Sequence, residues 1–454
     1  MFLPVGLAVL LHVVAPERLY VNVIGTMADE TSQEPELNGC ANGSRNLTGD
    51  LWVAEAGLEF TEDCTLIGAA GTRIRLDGPI SGKKLTLVGD LQFHATRSFD
   101  KACLSVDILH VDGTILVENC QNNKVSAGEP GGGASAHGVH VTEKGNLTFR
   151  NCSTKTRGGG LAAGEKGVEV KGGVLRFHQC MAEQKGGGLS VVAGNINQSS
   201  GVLEFMDCGA GDRFESYLKG GALALENGNL VLGDANVRVQ GCRADAGGGF
   251  FLKEGHLLQD GGHLHVKDCN AVSSGGGILI DGGTFSLMRG IAEFTLCVAV
   301  GVADEEMEED PKLHNLFEQA EEEEEEDEED ETKHNLRGSS GLGGGLWVEK
   351  GQVDQRGGNL SFSSCSSYRG GGMALSRGTI RQQGGMMSFH DCTAKQNGGG
   401  MFVDHGSAFV EGHAEVGVQN CTASEGGGIS LNQSNLTQHG GRLQISKCEA
   451  VVEG

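Results

Sequence analysis

Long apolar runs at helical spacing are missing from this 454-residue chain, and proline (6 residues) and aromatic side chains (5%) are scarce. The length could hold several ordinary domains. Low aromatic content beside 76 glycines instead suits one elongated repeat protein. Positive charge is also in short supply. A net charge of −25 argues against nucleic acid and against anionic membrane surfaces as partners. No apolar stretch is long enough to give a transmembrane span. The longest, residues 2–15 (FLPVGLAVLLHVVA), has the length of a secretory signal's apolar core, and Val23-Ile-Gly25 offers a small-residue cleavage site. Residues 1–25 are therefore read as a signal peptide. CxxC pairs are absent among the fourteen cysteines, and no histidine recurs beside them. Neither a metal centre nor a catalytic thiolate is expected from such a pattern, and no cofactor is expected either.

What the chain does have is a sentence written many times. From Gly343 it reads GGGLWVEKGQVDQRGGNLSFSSCSSYR, then GGGMALSRGTIRQQGGMMSFHDCTAKQN, with further triplets at Gly398 and Gly426, so the period is 27 or 28 residues. A fixed period of this size means one structural unit stacked on copies of itself. Each unit carries three short runs in which apolar residues alternate, as in Leu346 and Val348, or Leu360 and Phe362. Period-two alternation marks a strand with one buried face. Three strands per coil with no crossover helix make an all-β parallel β-helix solenoid. Some twelve or thirteen coils at ~4.8 Å each predict a rod of roughly 60 Å.

Eleven cysteines recur at one corner of the unit: Cys120, Cys152, Cys180, Cys208, Cys242, Cys269, Cys297, Cys365, Cys392, Cys421 and Cys448. Two residues after each stands a small side chain, Ala in eight units, Thr154 and Ser367 in two, with Asn122 as the exception. That constancy predicts a tight inward corner. The ladder is expected to be structural, buried and mostly unpaired, because directly stacked positions hold their Cβ vectors side by side. Cys40, Cys64 and Cys103 lie outside it and are freer to pair.

The pairing of GGG[LMFI] with FxxC, at Phe149, Phe177, Phe205, Phe294, Phe362 and Phe389, resembles the polymorphic outer membrane protein (Pmp) repeats of chlamydial surface autotransporters. Those repeats pair GGA[ILV] with FxxN, so Cys stands here where the family has Asn. The likeness covers about residues 105–454. It implies a right-handed single-stranded β-helix exposed on or outside a cell, with surface-protein or adhesin-like roles.

In chain order, the reading is a signal peptide (1–25), a polar leader (26–50), irregular N-terminal coils or a cap (51–104) and glycine-rich repeats (105–454). An acidic loop insertion at 302–341 interrupts the repeats. Residues 304–333 hold eighteen Asp and Glu against two Lys, a net of −16, which leaves −9 for the rest of the chain. Such a run repels itself and cannot bury a core. Nine Asn-x-Ser/Thr sequons, at Asn42, Asn46, Asn146, Asn151, Asn197, Asn359, Asn420, Asn432 and Asn435, suit export and glycosylation. Glycans at Asn151 and Asn420 would crowd the corner cysteines.

The function expected from these features is a secreted or cell-surface scaffold without catalysis, whose partner is an unidentified extracellular protein or glycan. Two alternatives stand beside it. Many polysaccharide lyases and hydrolases are parallel β-helices, and they need carboxylates clustered at one register. Asp207, Asp268 and Asp391 share a register just before corner cysteines, but Gln179, Gly241, Leu296, Ser364 and Asn420 interrupt that row. His263 and His265 share one strand face with nothing obvious to complete a site. The second alternative is a low-affinity calcium or basic-partner site in the acidic insertion.

Overall fold

The computed structural model describes residues 43–125, 130–211, 218–301 and 341–451. Within them the chain is a parallel β-solenoid of about 12 turns with about 28 residues per turn. The signal peptide, most of the leader, Cys40 and nearly all of the acidic insertion lie outside the described residues.

One coil shows the plan. Leu346–Glu349 forms the first wall, Gln352–Gln355 the second, Asn359–Ser363 the third, and Ser366–Arg369 a short run after the corner cysteine. The next coil repeats it in register, with Leu346 opposite Met373, Val353 opposite Ile380 and Phe362 opposite Phe389. In other coils the second and third walls fuse into one bent strand, as in His256–Lys267. The run after each corner cysteine is the element that alternation did not reveal. At two to five residues it is too short to show a period, yet eleven such runs pair into a separate parallel sheet.

The interior is one continuous core. Phe149, Phe177, Phe205, Phe294, Phe362 and Phe389 are all 0% exposed on the third wall. Their rings stack from coil to coil, with centroids 4.9 Å apart for Phe177 and Phe205 and again for Phe362 and Phe389. In these coils the glycine triplet packs against the ring. Its first member has positive φ (Gly343 at 62°, Gly370 at 68°), a conformation that costs other residues ~1–2 kcal/mol. Its third member lies against the phenylalanine: a Cβ at Gly345 would sit 2.6 Å from Phe362 Cδ1.

The first wall departs from simple alternation. Phe251, Leu279, Trp347 and Phe402 point away from the bore, yet each is less than 10% exposed. They form a second apolar cluster with Ala224, Ala374 and Leu342, outside the main core. Lys219 and Arg369 lay cations over Phe251 and Phe402, at 4.7 and 5.9 Å from the ring centroids.

Two points concern the boundaries. The stack starts earlier than Leu51: Ser44–Leu47 already pairs with Thr65 to Gly68, inside the stretch read as a leader. Its one apolar side chain, Leu47, gave no period to detect. Across residues 302–340 the register is unbroken. Ile278 pairs with Leu346 and Val298 with Ser366, while the Gly301 and Gly341 amides donate to the consecutive carbonyls of Val272 and Ser273.

Candidate functional site

The cysteine corner is built from three residues. The first turns the chain: Asn119, Asn151, Gln179, Asp207, Asp268, Leu296, Ser364, Asp391, Asn420 and Lys447 all have φ between 50° and 59°, and Gly241 has 66°. Outside glycine this left-handed region is populated mainly by Asn and Asp, whose short polar side chains bond locally. The register of Asp207, Asp268 and Asp391 therefore has a conformational cause. Where neighbours in this row touch, they do so along the axis. Asn151 Nδ2 donates to Asn119 Oδ1 (2.7 Å) and Asn420 Nδ2 to Asp391 Oδ1 (3.2 Å). The two sequon asparagines beside corner cysteines thus already use their amide nitrogens.

The second residue is the cysteine. Cys152, Cys180, Cys208, Cys242, Cys269, Cys297, Cys365, Cys392 and Cys421 are buried free thiols, and Cys448 is a partly buried one. Each donates to the carbonyl two residues earlier, at 3.4–3.6 Å, and most also reach a carbonyl of the preceding coil, as Cys365 does with Phe294 O (3.5 Å). The thiol is thus a packing group that also satisfies the carbonyls at the turn. Burial pushes the thiols of Cys180, Cys242, Cys297 and Cys365 well above the ordinary range, the opposite of what a nucleophile needs. The third residue is the small one: Ala182, Ala271, Ala299 and Ala423 are at most 2% exposed, so the corner does turn inward.

Cys120 is the one paired member of the mostly unpaired ladder, forming a disulfide with Cys103. The repeat geometry explains why. Leu104 pairs with Ala134, which places Cys103 at the register of Gly133, the third glycine of its triplet. At that position a Cβ would lie 3.3 Å from the same coil's Sγ in the case of Gly277 and Cys297. Val117, opposite Phe149, replaces the ring and leaves room for the bridge. Cys64 is disulfide-bonded as well.

On the outward faces, the structure adds one partner to the histidine pair. His263 Nε2 lies 2.9 Å from Glu293 Oε2 on the next coil, and the His263 and His265 rings stack in parallel with centroids 5.8 Å apart. Parallel rings do not converge on a shared point. Among the described residues no three His, Cys, Asp or Glu side chains are placed to hold a metal ion.

Two features escaped sequence reasoning. Gln198, Gln259, Gln355 and Gln382 are at most 1% exposed inside the second wall. Their amides donate to turn carbonyls, such as Gly358 and Met386 for Gln355. A polar residue at an inward position looks like a break in alternation, so the pattern hid them. The other feature is a depression of about 340 Å³ on the outer face of the second wall, lined by Gln352, Asp354, Arg356, Thr379, Arg381 and Gln383. Asp354 Oδ2 accepts from Arg356 Nε (2.9 Å), whereas its Oδ1 is buried without a hydrogen-bond partner. Comparison with family models, with curated proteins and with solved structures finds no match to this chain.

Proposed function

We propose that the chain is a non-catalytic scaffold working outside the cell or on its surface, in an adhesin-like role, with an extracellular protein or glycan as its partner. The observation that carries this reading is the contrast between the two faces of the third wall. The inward row of that wall is apolar at every step from Phe149 to Phe294: Phe149, Phe177, Phe205, Val239, Val266, Phe294. The outward row of the third wall changes chemistry at every step from Thr148 to Glu293: Thr148, Arg176, Glu204, Arg238, His265, Glu293. A uniform interior beneath a varied exterior suits display of a recognition surface. The oxidised Cys64, Cys103 and Cys120 support an oxidising compartment. The exposed sequons Asn197, Asn359 and Asn435 support the same setting. The Pmp-like repeat pattern points to a surface role as well.

The test is to incubate fluorescently labelled secreted protein with cells and extracellular matrix, and in parallel with a polysaccharide panel. Saturable binding without release of reducing or unsaturated sugar is expected. Release of either product would overturn the reading in favour of a polysaccharide-active enzyme.

A further inference from the structure

We infer that Asn359 carries an N-linked glycan whose innermost sugars lie on the third wall, over Ile291, Met386 and a strip of small side chains. The inference rests on the extracellular scaffold reading and gives this part of the surface one occupant. Geometry separates the sequons. Asn151, Asn420 and Asn432 each donate the side-chain nitrogen to a neighbouring coil. Asn359 is exposed on the outward face of Asn359–Ser363, and among the described residues its side-chain amide makes no hydrogen bond. In register it lies between Ile291 and Met386, which are 38% and 41% exposed. A single exposed aliphatic needs no explanation, but here one stands on each side of a glycan acceptor. The carbonyls of both are held from inside by the buried amides of Gln259 and Gln355, at 2.8 and 3.0 Å, so the row is fixed.

Beside Asn359 the outward row loses its bulk. Where the preceding coils place Arg238, His265 and Glu293, the next three place Ser361, Ser388 and Gly417. Gly417 has no positive φ, and a Cβ there would meet nothing within 4 Å. Neither the backbone nor the packing of this chain requires glycine at that position. The low strip runs two coil spacings from Ser361, ~10 Å, close to the length of two linked pyranoses. N-acetylglucosamine matches both features. Its acetamide methyl and the C–H face of its ring are apolar and cover Ile291 and Met386. Its hydroxyls exchange hydrogen bonds with those of Ser361 and Ser388. Attachment forms a bond from Asn359 Nδ2 to C1 of the first sugar. The C1–O bond to the lipid pyrophosphate that donates the oligosaccharide breaks, the pyrophosphate leaves with that electron pair, and one Nδ2 proton is lost. Ser361 supplies the hydroxyl of the Asn359-Leu360-Ser361 sequon and then lies under the sugar.

The experiment uses the full chain expressed for secretion in a eukaryotic culture, beside Ser361→Ala, which removes the sequon but keeps Asn359 and both aliphatic side chains. Glycopeptide mass spectrometry reads the state of Asn359. Graded hydrogen peroxide reads the cover over Met386, because thioether oxidation follows exposure. Met181, 38% exposed on a distant coil, is the internal control. Asn359 is expected to be glycosylated in the wild-type chain. Met386 should oxidise about threefold faster or more in Ser361→Ala, with Met181 unchanged. Enzymatic removal of the glycan from folded wild-type protein should speed Met386 oxidation equally, which keeps the test open if Ser361→Ala fails to fold. An unmodified Asn359 in the secreted chain would overturn the site. Equal oxidation of Met386 with and without the glycan would overturn its seat on the wall. Retention of the chain inside the cell would instead sink the extracellular reading on which the inference rests.

Discussion

At the residue scale, the fold is held by pairs of positions that answer each other. In the coils that carry a phenylalanine, the third glycine of the triplet lies against its ring, in the space a Cβ would take. The coil that starts at Gly220 shows the exchange in reverse: Ala222 stands at the third position, and Val239 replaces the phenylalanine opposite Phe205. Both are at most 1% exposed, so the smaller aliphatic side chain makes room for the extra methyl. The Cys103–Cys120 bridge with Val117 is a second version of the same exchange. Gly345→Ala should consequently destabilise the protein by about 1–3 kcal/mol through overpacking against Phe362. Adding Phe362→Val should cost less than the sum of the two single changes. Denaturant titration of the two single variants and the double variant checks this. Additive losses would show that the two positions are independent.

At the scale of the element, the cysteine ladder predicts a pH dependence. Burial raises the thiol pKa of Cys180, Cys242, Cys297 and Cys365 above the ~8.5 of an unfolded chain. Below that value both states hold the proton and these groups leave stability unchanged with pH. Above it the unfolded chain releases protons that the native state retains, so stability falls as pH rises. Each such thiol contributes about 1.4 kcal/mol of loss per pH unit. The melting temperature should therefore be flat between about pH 7 and pH 8, above the histidine range, and drop between pH 8.5 and 10. Thiol titration should find the nine buried free cysteines unreactive until the protein is denatured. A flat melting temperature to pH 10, or rapid labelling of the native protein, would show that the thiols are not buried as described. The three walls were legible because their apolar residues alternate around a recurring FxxC and a recurring triplet. The left-handed turn at Ala193, Asn227, Glu254, Lys350, Arg377 and His405 was not, because its requirement is on φ and no residue type dominates it. The buried glutamines and the outward-pointing Phe251, Trp347 and Phe402 were hidden for a related reason. Their burial comes from neighbouring coils, which no single repeat contains.

At the scale of the whole molecule, the solenoid is one rigid rod only if its stack is continuous, and the longest gap between described residues, 302–340, tests this most strongly. The strands on either side are paired neighbours, and Phe294 stacks on Phe362 with ring centroids 4.9 Å apart. Gly301 and Gly341 nearly touch: a Cβ at Gly341 would lie 3.0 Å from Gly301 Cα. Their Cα atoms are therefore within about 4.5 Å of each other, against ~3.8 Å for bonded neighbours. A variant joining Gly301 directly to Gly341 is thus within reach of the native backbone. Thermal unfolding of that variant, followed by β-sheet circular dichroism, is the most direct measurement of the central claim. A single cooperative transition within a few degrees of the full chain is the predicted result. Loss of the β signal, or two separate transitions for the parts before and after the join, would contradict a continuous solenoid.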